Sequence, residues 1–233
     1  MSIAEKLTTI TDNMTAVYNA GKTGGKIEFE NMITNDFKRT NYNTFFCGLD
    51  FTGYTFSKTI YPTTAMYMFQ NYRGVKLPGN IDFSEIIPND GKRISYIFEN
   101  AQNLEEIDIT GMPAMTSYQY AFSRCRAVHT IKGINCEPTI GWTNTFNECN
   151  SLKAVFFTKE ECIGNDINFQ YSPIDDKDSL KNIVDALCNF SGTDLEYTRT
   201  ITVSAITRTK LQSYMYNRWN TYLEMIENKG WII

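Results

Sequence analysis

The chain has 233 residues, a mass of 26.8 kDa and a formal net charge of −4. Hydrophobic residues make up 42% and charged residues 21%, the composition of a folded globular chain rather than a disordered one. The mild acidity argues against a nucleic-acid binder, no apolar run reaches the ~18 residues of a membrane helix, and residues 1–14 show no export signal.

The first predicted element is a helix over residues 1–20. Ser2 and Glu5 form an S-x-x-E capping box. Ile3, Leu7, Ile10, Met14 and Val17 follow at spacings of 4, 3, 4 and 3, an a/d seam that Ala20-Gly21 ends. A projecting seam would join three copies into a homotrimer. A seam folded back would cover the apolar end of the next segment near Phe45 and Phe51 and leave a monomer. The following GKTGGK, residues 21–26, is not a phosphate-binding loop. Gly25-Lys26 has Ala20 where that motif needs glycine and Ile27 where it needs Ser or Thr.

The middle of the chain repeats. A phenylalanine recurs at Phe45, Phe69, Phe98, Phe122 and Phe146, at intervals of 24, 29, 24 and 24. Six residues on from each lie Phe51, Val75, Leu104, Val128 and Leu152; nine on, in the last three copies, lie Ile107, Ile131 and Val155. Three on lie Ala101, Cys125 and Cys149. Two and four residues before the Phe lie Tyr96 and Ile94, Tyr120 and Tyr118, Asn144 and Trp142, an alternation that predicts a short strand. A unit of about 24 residues cannot bury its own apolar face, so the pattern predicts stacking of the phenylalanines into one ladder. The five-residue excess falls in residues 77–92, where Pro, Gly, Asn and Asp mark a loop.

The F-x-x-C-x-x-L-x-x-I pattern, clearest in residues 140–157, resembles the BspA-type leucine-rich repeat. The wider arrangement resembles small leucine-rich-repeat proteins of Firmicutes phages and prophages. It has Ala4-Glu5-Lys6-Leu7 at the start, Ala20-Gly21-Lys22 after the first helix, and Gly230-Trp231 near the end. The resemblance implies an α+β fold: a leucine-rich-repeat-like solenoid of about 24-residue coils with short strands. It would carry an N-terminal helix (1–24), repeats over 25–170 and a helical and strand cap over 171–233.

The last third reads as that cap. The next ladder position is Gln170, with Phe169 beside it, so the ladder is expected to stop at Phe146. Leu180, Ile183, Val184 and Leu187 share one face of a helix over about 180–189. Residues 191–194 read as a turn, and residues 198–206 alternate as a strand. Thr207 opens a predicted long helix whose apolar stripe runs through Leu211, Tyr214, Met215, Trp219, Tyr222, Met225 and Ile226 to Lys229-Gly230. Residues 231–233 read as a last short strand.

Residues for chemistry are scarce, and neither a catalytic, a cofactor nor a metal site is expected. His129, the single histidine, sits between Val128 and Ile131 and reads as a surface residue rather than a base. The six cysteines (47, 125, 136, 149, 162 and 188) form no C-x-x-C, so a disulfide framework is not expected, and Cys125 and Cys149 read as stacked buried thiols. Asp175, Asp176 and Asp178 lack the spacing of a calcium loop and suit a helix N-terminus. Glu105-Glu106, Glu160-Glu161 and Asp82 with Glu85 offer carboxylates, but no spacing sets two of them across a cleft. Trp142, Tyr118 and Tyr54 are candidate sugar platforms by type, although the repeat puts the first two in the core. The expectation is therefore a non-enzymatic binding or structural module, tail- or fibre-associated in a phage or prophage virion, that meets a host-surface glycan or protein. A bacterial cytoplasmic interaction scaffold is the alternative, and a carbohydrate-active enzyme stands third.

Overall fold

The computed structural model describes residues 46–87, 94–193 and 197–233. The N-terminal seam, the 21–26 loop and Phe45 lie outside them, as does part of the expected loop at 77–92.

Each ladder phenylalanine sits in a run of overlapping turns. Around Phe98, the N–H groups of Ile97, Glu99 and Ala101 donate to the carbonyls of Ile94, Tyr96 and Phe98 at 3.0–3.1 Å. The alternate N–H groups, of Tyr96, Phe98 and Asn100, leave the run. They donate to Gln119, Ala121 and Ser123 of the next run at 3.1, 2.9 and 2.7 Å. Left-handed residues two before and two after the phenylalanine produce this alternation: Tyr96 has φ 60° and Asn100 φ 59°. Tyr67 and Asn71, Tyr120 and Arg124, and Asn144 and Glu148 repeat the pattern. The strand expected at these positions is therefore corrected to a turn run, because left-handed backbone cannot extend.

The phenylalanines stack through the runs. Ring centroids are 4.8 Å apart for Phe46–Phe69, 5.4 Å for Phe69–Phe98, 5.9 Å for Phe98–Phe122 and 5.7 Å for Phe122–Phe146. Two details differ from expectation. Phe46 occupies the first described rung. Phe169 adds one more, 4.7 Å from Phe146, so the ladder does not stop there. A second file of rings, Tyr67–Tyr96–Tyr120, stacks at 4.9 Å per step on the left-handed positions. Leu104, Val128 and Leu152 are fully buried, whereas Val75 is 39% exposed.

Ten strands are described: β1 (Thr55–Ile60), β2 (Gly79–Ile81), β3 (Glu106–Asp108), β4 (Met115–Ser117), β5 (Thr130–Ile134), β6 (Cys136–Gly141), β7 (Ala154–Phe157), β8 (Ile167–Phe169), β9 (Arg199–Val203) and β10 (Trp231–Ile232). All pairings between them are parallel. They form four separate sheets, β1-β2, β3-β5-β7, β4-β6 and β10-β9-β8. In the central sheet Ile107 pairs with Ile131 and Ile131 with Val155, all three buried. The expected fold class, a leucine-rich-repeat-like solenoid, is corrected. The described residues form a mixed fold of small parallel sheets and three helices, with no closed solenoid and no sheet wider than three strands. The described part of the 29-residue interval contributes β2, which pairs back onto β1, and a 3-10 turn at Phe83–Glu85.

The cap begins with α1 (Lys177–Ala186), which starts three residues earlier than expected because Asp176 accepts the Ser179 N–H at 2.7 Å. This helix closes the central sheet. Ser179 Oγ accepts from Val155 N–H at 2.7 Å and donates to Val155 O at 2.9 Å. Asn182 accepts from Phe157 N–H at 2.6 Å and donates to Phe157 O at 3.0 Å. Two side chains thus take the place of a fourth strand on the edge of β7.

The long C-terminal helix is corrected to two short ones, α2 (Ala205–Ser213) and α3 (Tyr222–Asn228). Asn217 breaks it by accepting the N–H groups of Trp219 and Asn220 at 2.8 and 2.9 Å. Thr221 and Glu224 then restart the chain with a capping box. Trp219 consequently leaves the apolar stripe and is 75% exposed, while Leu211, Tyr222 and Ile226 remain buried. Lys229 reaches back to the C-terminal end of α1, donating to the carbonyls of Val184 and Leu187 at 2.8 and 2.7 Å. Among the described residues no helix is long and apolar enough to cross a membrane.

Candidate ligand-binding cleft

The stacked runs have a direction. Each run described above sends its alternate N–H groups forward to the next. In the run around Phe146 the corresponding donors are Asn144, Phe146 and Glu148, and these make no bond to a following run. The cause is a change of backbone. Residues 167–169 are extended as β8 and spend their pairing on β9, with Ile167 opposite Ile201. Phe169 keeps the ring contact with Phe146, but the backbone ladder ends.

A cleft of about 540 Å³ opens at this junction. The last run supplies Trp142, Thr143, Asn144 and Asn147; the β8 segment supplies Asp166, Ile167, Asn168 and Tyr171; β9 supplies Thr200 and Thr202. The lining holds three amides, three threonine hydroxyls and a single charge, the carboxylate of Asp166. One oxygen of that carboxylate is fixed by Thr200 N–H at 2.8 Å. Asn168 is held similarly, its Oδ1 accepting Gln170 N–H at 2.8 Å, which leaves its amide NH₂ as a donor. Trp142 is stacked on Tyr118 at 5.7 Å, and its buried Nε1 has no hydrogen-bond partner. Tyr171 is 49% exposed at the rim.

This set can donate and accept many hydrogen bonds at once and offers one aromatic face. Its lining contains no histidine, cysteine or lysine, and its one carboxylate, Asp166, has one oxygen held by Thr200 N–H. No family model, curated protein or solved structure matches the chain.

A second cleft, of about 670 Å³, lies beside the open edge of β3. Glu105, Glu106, Asp108 and His129 share its wall. His129 is exposed, as expected, and its backbone N–H donates to Glu105 O at 2.8 Å. The Glu106 carboxylate is paired with Lys132 Nζ at 2.5 Å. The 24-residue repeat carries a signal for this meeting, since Glu105 and His129 each lie seven residues past a ladder phenylalanine, Phe98 and Phe122.

The other expected residues fall as follows. Tyr118 is fully buried, its hydroxyl donates to Asn135 O at 3.0 Å, and burial pushes its phenol well above the usual range. Tyr54 is half-buried, edge-on to Phe51 and Phe56. Asp176 caps α1, Asp178 lies in its first turn and Asp175 faces Lys153 at 3.5 Å. Asp82 caps the 3-10 turn that contains Glu85. Glu161 has φ 49°, and its N–H donates to Asp185 O at 3.0 Å. Among the described residues no three His, Cys, Asp or Glu side chains gather as metal ligands. Cys125 and Cys149 are buried thiols that donate one layer back, to Phe98 O and Phe122 O, at 3.0 Å each.

Proposed function

We propose that this chain is a non-enzymatic binding module and that the cleft behind the last turn run takes one unit of an uncharged, polyhydroxylated ligand, a sugar residue of a surface glycan. The observation that carries the reading is the buried, unpartnered Trp142 Nε1 on the cleft wall, beside Asn144, whose N–H has no following run to bond. A buried donor without a partner, as Trp142 Nε1 is, favours a ligand rich in acceptor oxygens. The Asp166 carboxylate repels an anion and accepts hydroxyl hydrogens, which selects a neutral sugar over a phosphate or an acidic one. Tyr171 offers the ring face on which the C–H side of a pyranose stacks. The resemblance of the sequence to small phage and prophage proteins supports a tail- or fibre-associated setting on a host surface.

The test is a glycan array probed with the full chain, followed by chromatography of the recovered ligand. The expected result is retention of neutral hexose- or hexosamine-containing glycans, recovered intact. Shortened glycans would replace the binding reading with a hydrolytic one, and an array without neutral binders would remove it.

A further inference from the structure

Outside the cleft, two buried cysteine thiols face each other. Cys136 opens β6, and Cys162 lies 26 residues further along the chain. Their Sγ atoms are 2.9 Å apart, and both side chains are buried, at 0% and 2% exposure. Cys136 Sγ is also 3.2 Å from Cys162 O. A disulfide needs about 2.05 Å between sulfurs, so the bond forms with a shift of about 1 Å.

The geometry points to a redox-sensitive cross-link: Cys136 and Cys162 are a dithiol that a peroxide converts to a disulfide inside the folded protein. The two thiols are not equivalent. The Cys136 S–H donates to Cys162, which holds the Cys162 thiol below its ordinary range; the Lys159 ammonium acts in the same direction. Cys136 keeps its proton, raised by that same hydrogen bond and by burial. Cys162, the acceptor of that hydrogen bond and the less enclosed of the two at 2% against 0% exposure, is the sulfur assigned to react first.

Its thiolate attacks one peroxide oxygen. The S–O bond forms, the O–O bond breaks, and the departing hydroxide takes up the proton that the Cys162 thiol released on ionising and becomes water. Cys136 sulfur then attacks the Cys162 sulfenic sulfur. The S–S bond forms, the S–O bond breaks, and the second hydroxide leaves as water with the Cys136 proton. Two thiols lose two electrons and one peroxide becomes two waters. The product ties β6 to the segment before β8, next to the junction where the turn runs end. Closing that loop restricts the unfolded chain, so the oxidised form melts at a higher temperature.

The full chain is exposed to one equivalent of hydrogen peroxide, denatured, alkylated and digested with trypsin and a Glu-specific protease. Cuts after Lys132, Glu148 and Lys159 place Cys136, Cys149 and Cys162 on separate peptides. The expected map shows one cross-linked pair carrying Cys136 and Cys162. Two of the six thiols are lost, and an upward shift in melting temperature is reversed by dithiothreitol. Cys136→Ser abolishes the cross-link and the shift, while Cys188→Ser, at the half-buried thiol nearby, retains both. The map of the unmodified chain decides the matter even if Cys136→Ser does not fold. Six free thiols after treatment, a sulfinate at Cys162 without a cross-link, or a disulfide through Cys188 would each overturn the proposal.

Discussion

At the scale of single residues, the left-handed backbone is where local preference and tertiary structure disagree. Tyr96, Tyr120, Arg124 and Glu148 all hold positive φ, at roughly 1 kcal/mol or more each for a residue with a Cβ. The bonds from one run to the next, and the Tyr67–Tyr96–Tyr120 file, hold them there. The sequence shows this only faintly, through Asn71 and Asn100 two residues after a ladder phenylalanine and Asn144 two before one, so an alternation of Ile94, Tyr96 and Phe98 reads as a strand. Gly133 is the stricter case. It has φ 83°, and a Cβ there would lie 2.2 Å from the Thr110 backbone nitrogen. Gly133→Ala is expected to destabilise the protein by more than about 2 kcal/mol, read from the urea midpoint. Burial pushes the Cys149 thiol up to about 12 from its usual 9.0. The unfolded chain then loses this proton from about pH 9, while the folded one keeps it to about pH 12. The unfolded state binds fewer protons in that window, and the Cys149 share of stability falls there by about 1.4 kcal/mol per pH unit. Denaturant titrations at pH 8, 9 and 10 should show a shallower decline for Cys149→Ala than for the unsubstituted chain.

At the scale of elements, α1 does two jobs with one face. Leu180, Ile183 and Val184 bury themselves, and Ser179 and Asn182 satisfy the open edge of β7. The apolar spacing was legible in the sequence; the edge pairing was not, because it depends on where the helix lands. Ser179→Ala strands the buried N–H and carbonyl of Val155 and should cost about 1–3 kcal/mol, whereas Ser179→Thr keeps the hydroxyl and should cost less. Chemical denaturation of both variants measures this directly; equal loss in the two would show that volume matters there, not hydrogen bonding. The break between α2 and α3 was missed for a related reason. Leu211, Met215, Trp219, Tyr222 and Ile226 have helical spacing, but the Asn217 side chain competes for the backbone donors that the helix needs. The residue that periodicity places in the core, Trp219, therefore stands in solvent with the Arg218 guanidinium 4.7 Å from its ring.

At the scale of the molecule, the aromatic ladder links the separate sheets. Phe69, Phe98, Phe122 and Phe146 are each at most 1% exposed, and each touches the ring on either side. Their recurrence was plain in the sequence, and the stack it predicts is present. The class inferred from it was not correct, because a repeat of rings does not specify how strands pair. Phe122→Ala should cost about 3–5 kcal/mol by lost transfer and cavity terms, a large part of the ~5–15 kcal/mol that holds a domain together. Thermal melting should show the loss as one cooperative transition at lower temperature. The cleft was legible only in part. Trp142 and Asn144 stand out as repeat positions, but the partnerless donors follow from the switch to extended backbone at β8, which no local motif marks.

The reading of that cleft rests most directly on Tyr171. Calorimetric titration of a neutral glycan retained on the array into the unsubstituted chain, Tyr171→Ala and Trp219→Ala compares the rim ring with the most exposed ring among the described residues elsewhere. The account predicts affinity weakened about tenfold for Tyr171→Ala, the worth of about 1.4 kcal/mol of ring contact, and no change for Trp219→Ala. Unchanged binding by Tyr171→Ala, with loss on Trp219→Ala, would contradict it and move the site to the loop between α2 and α3.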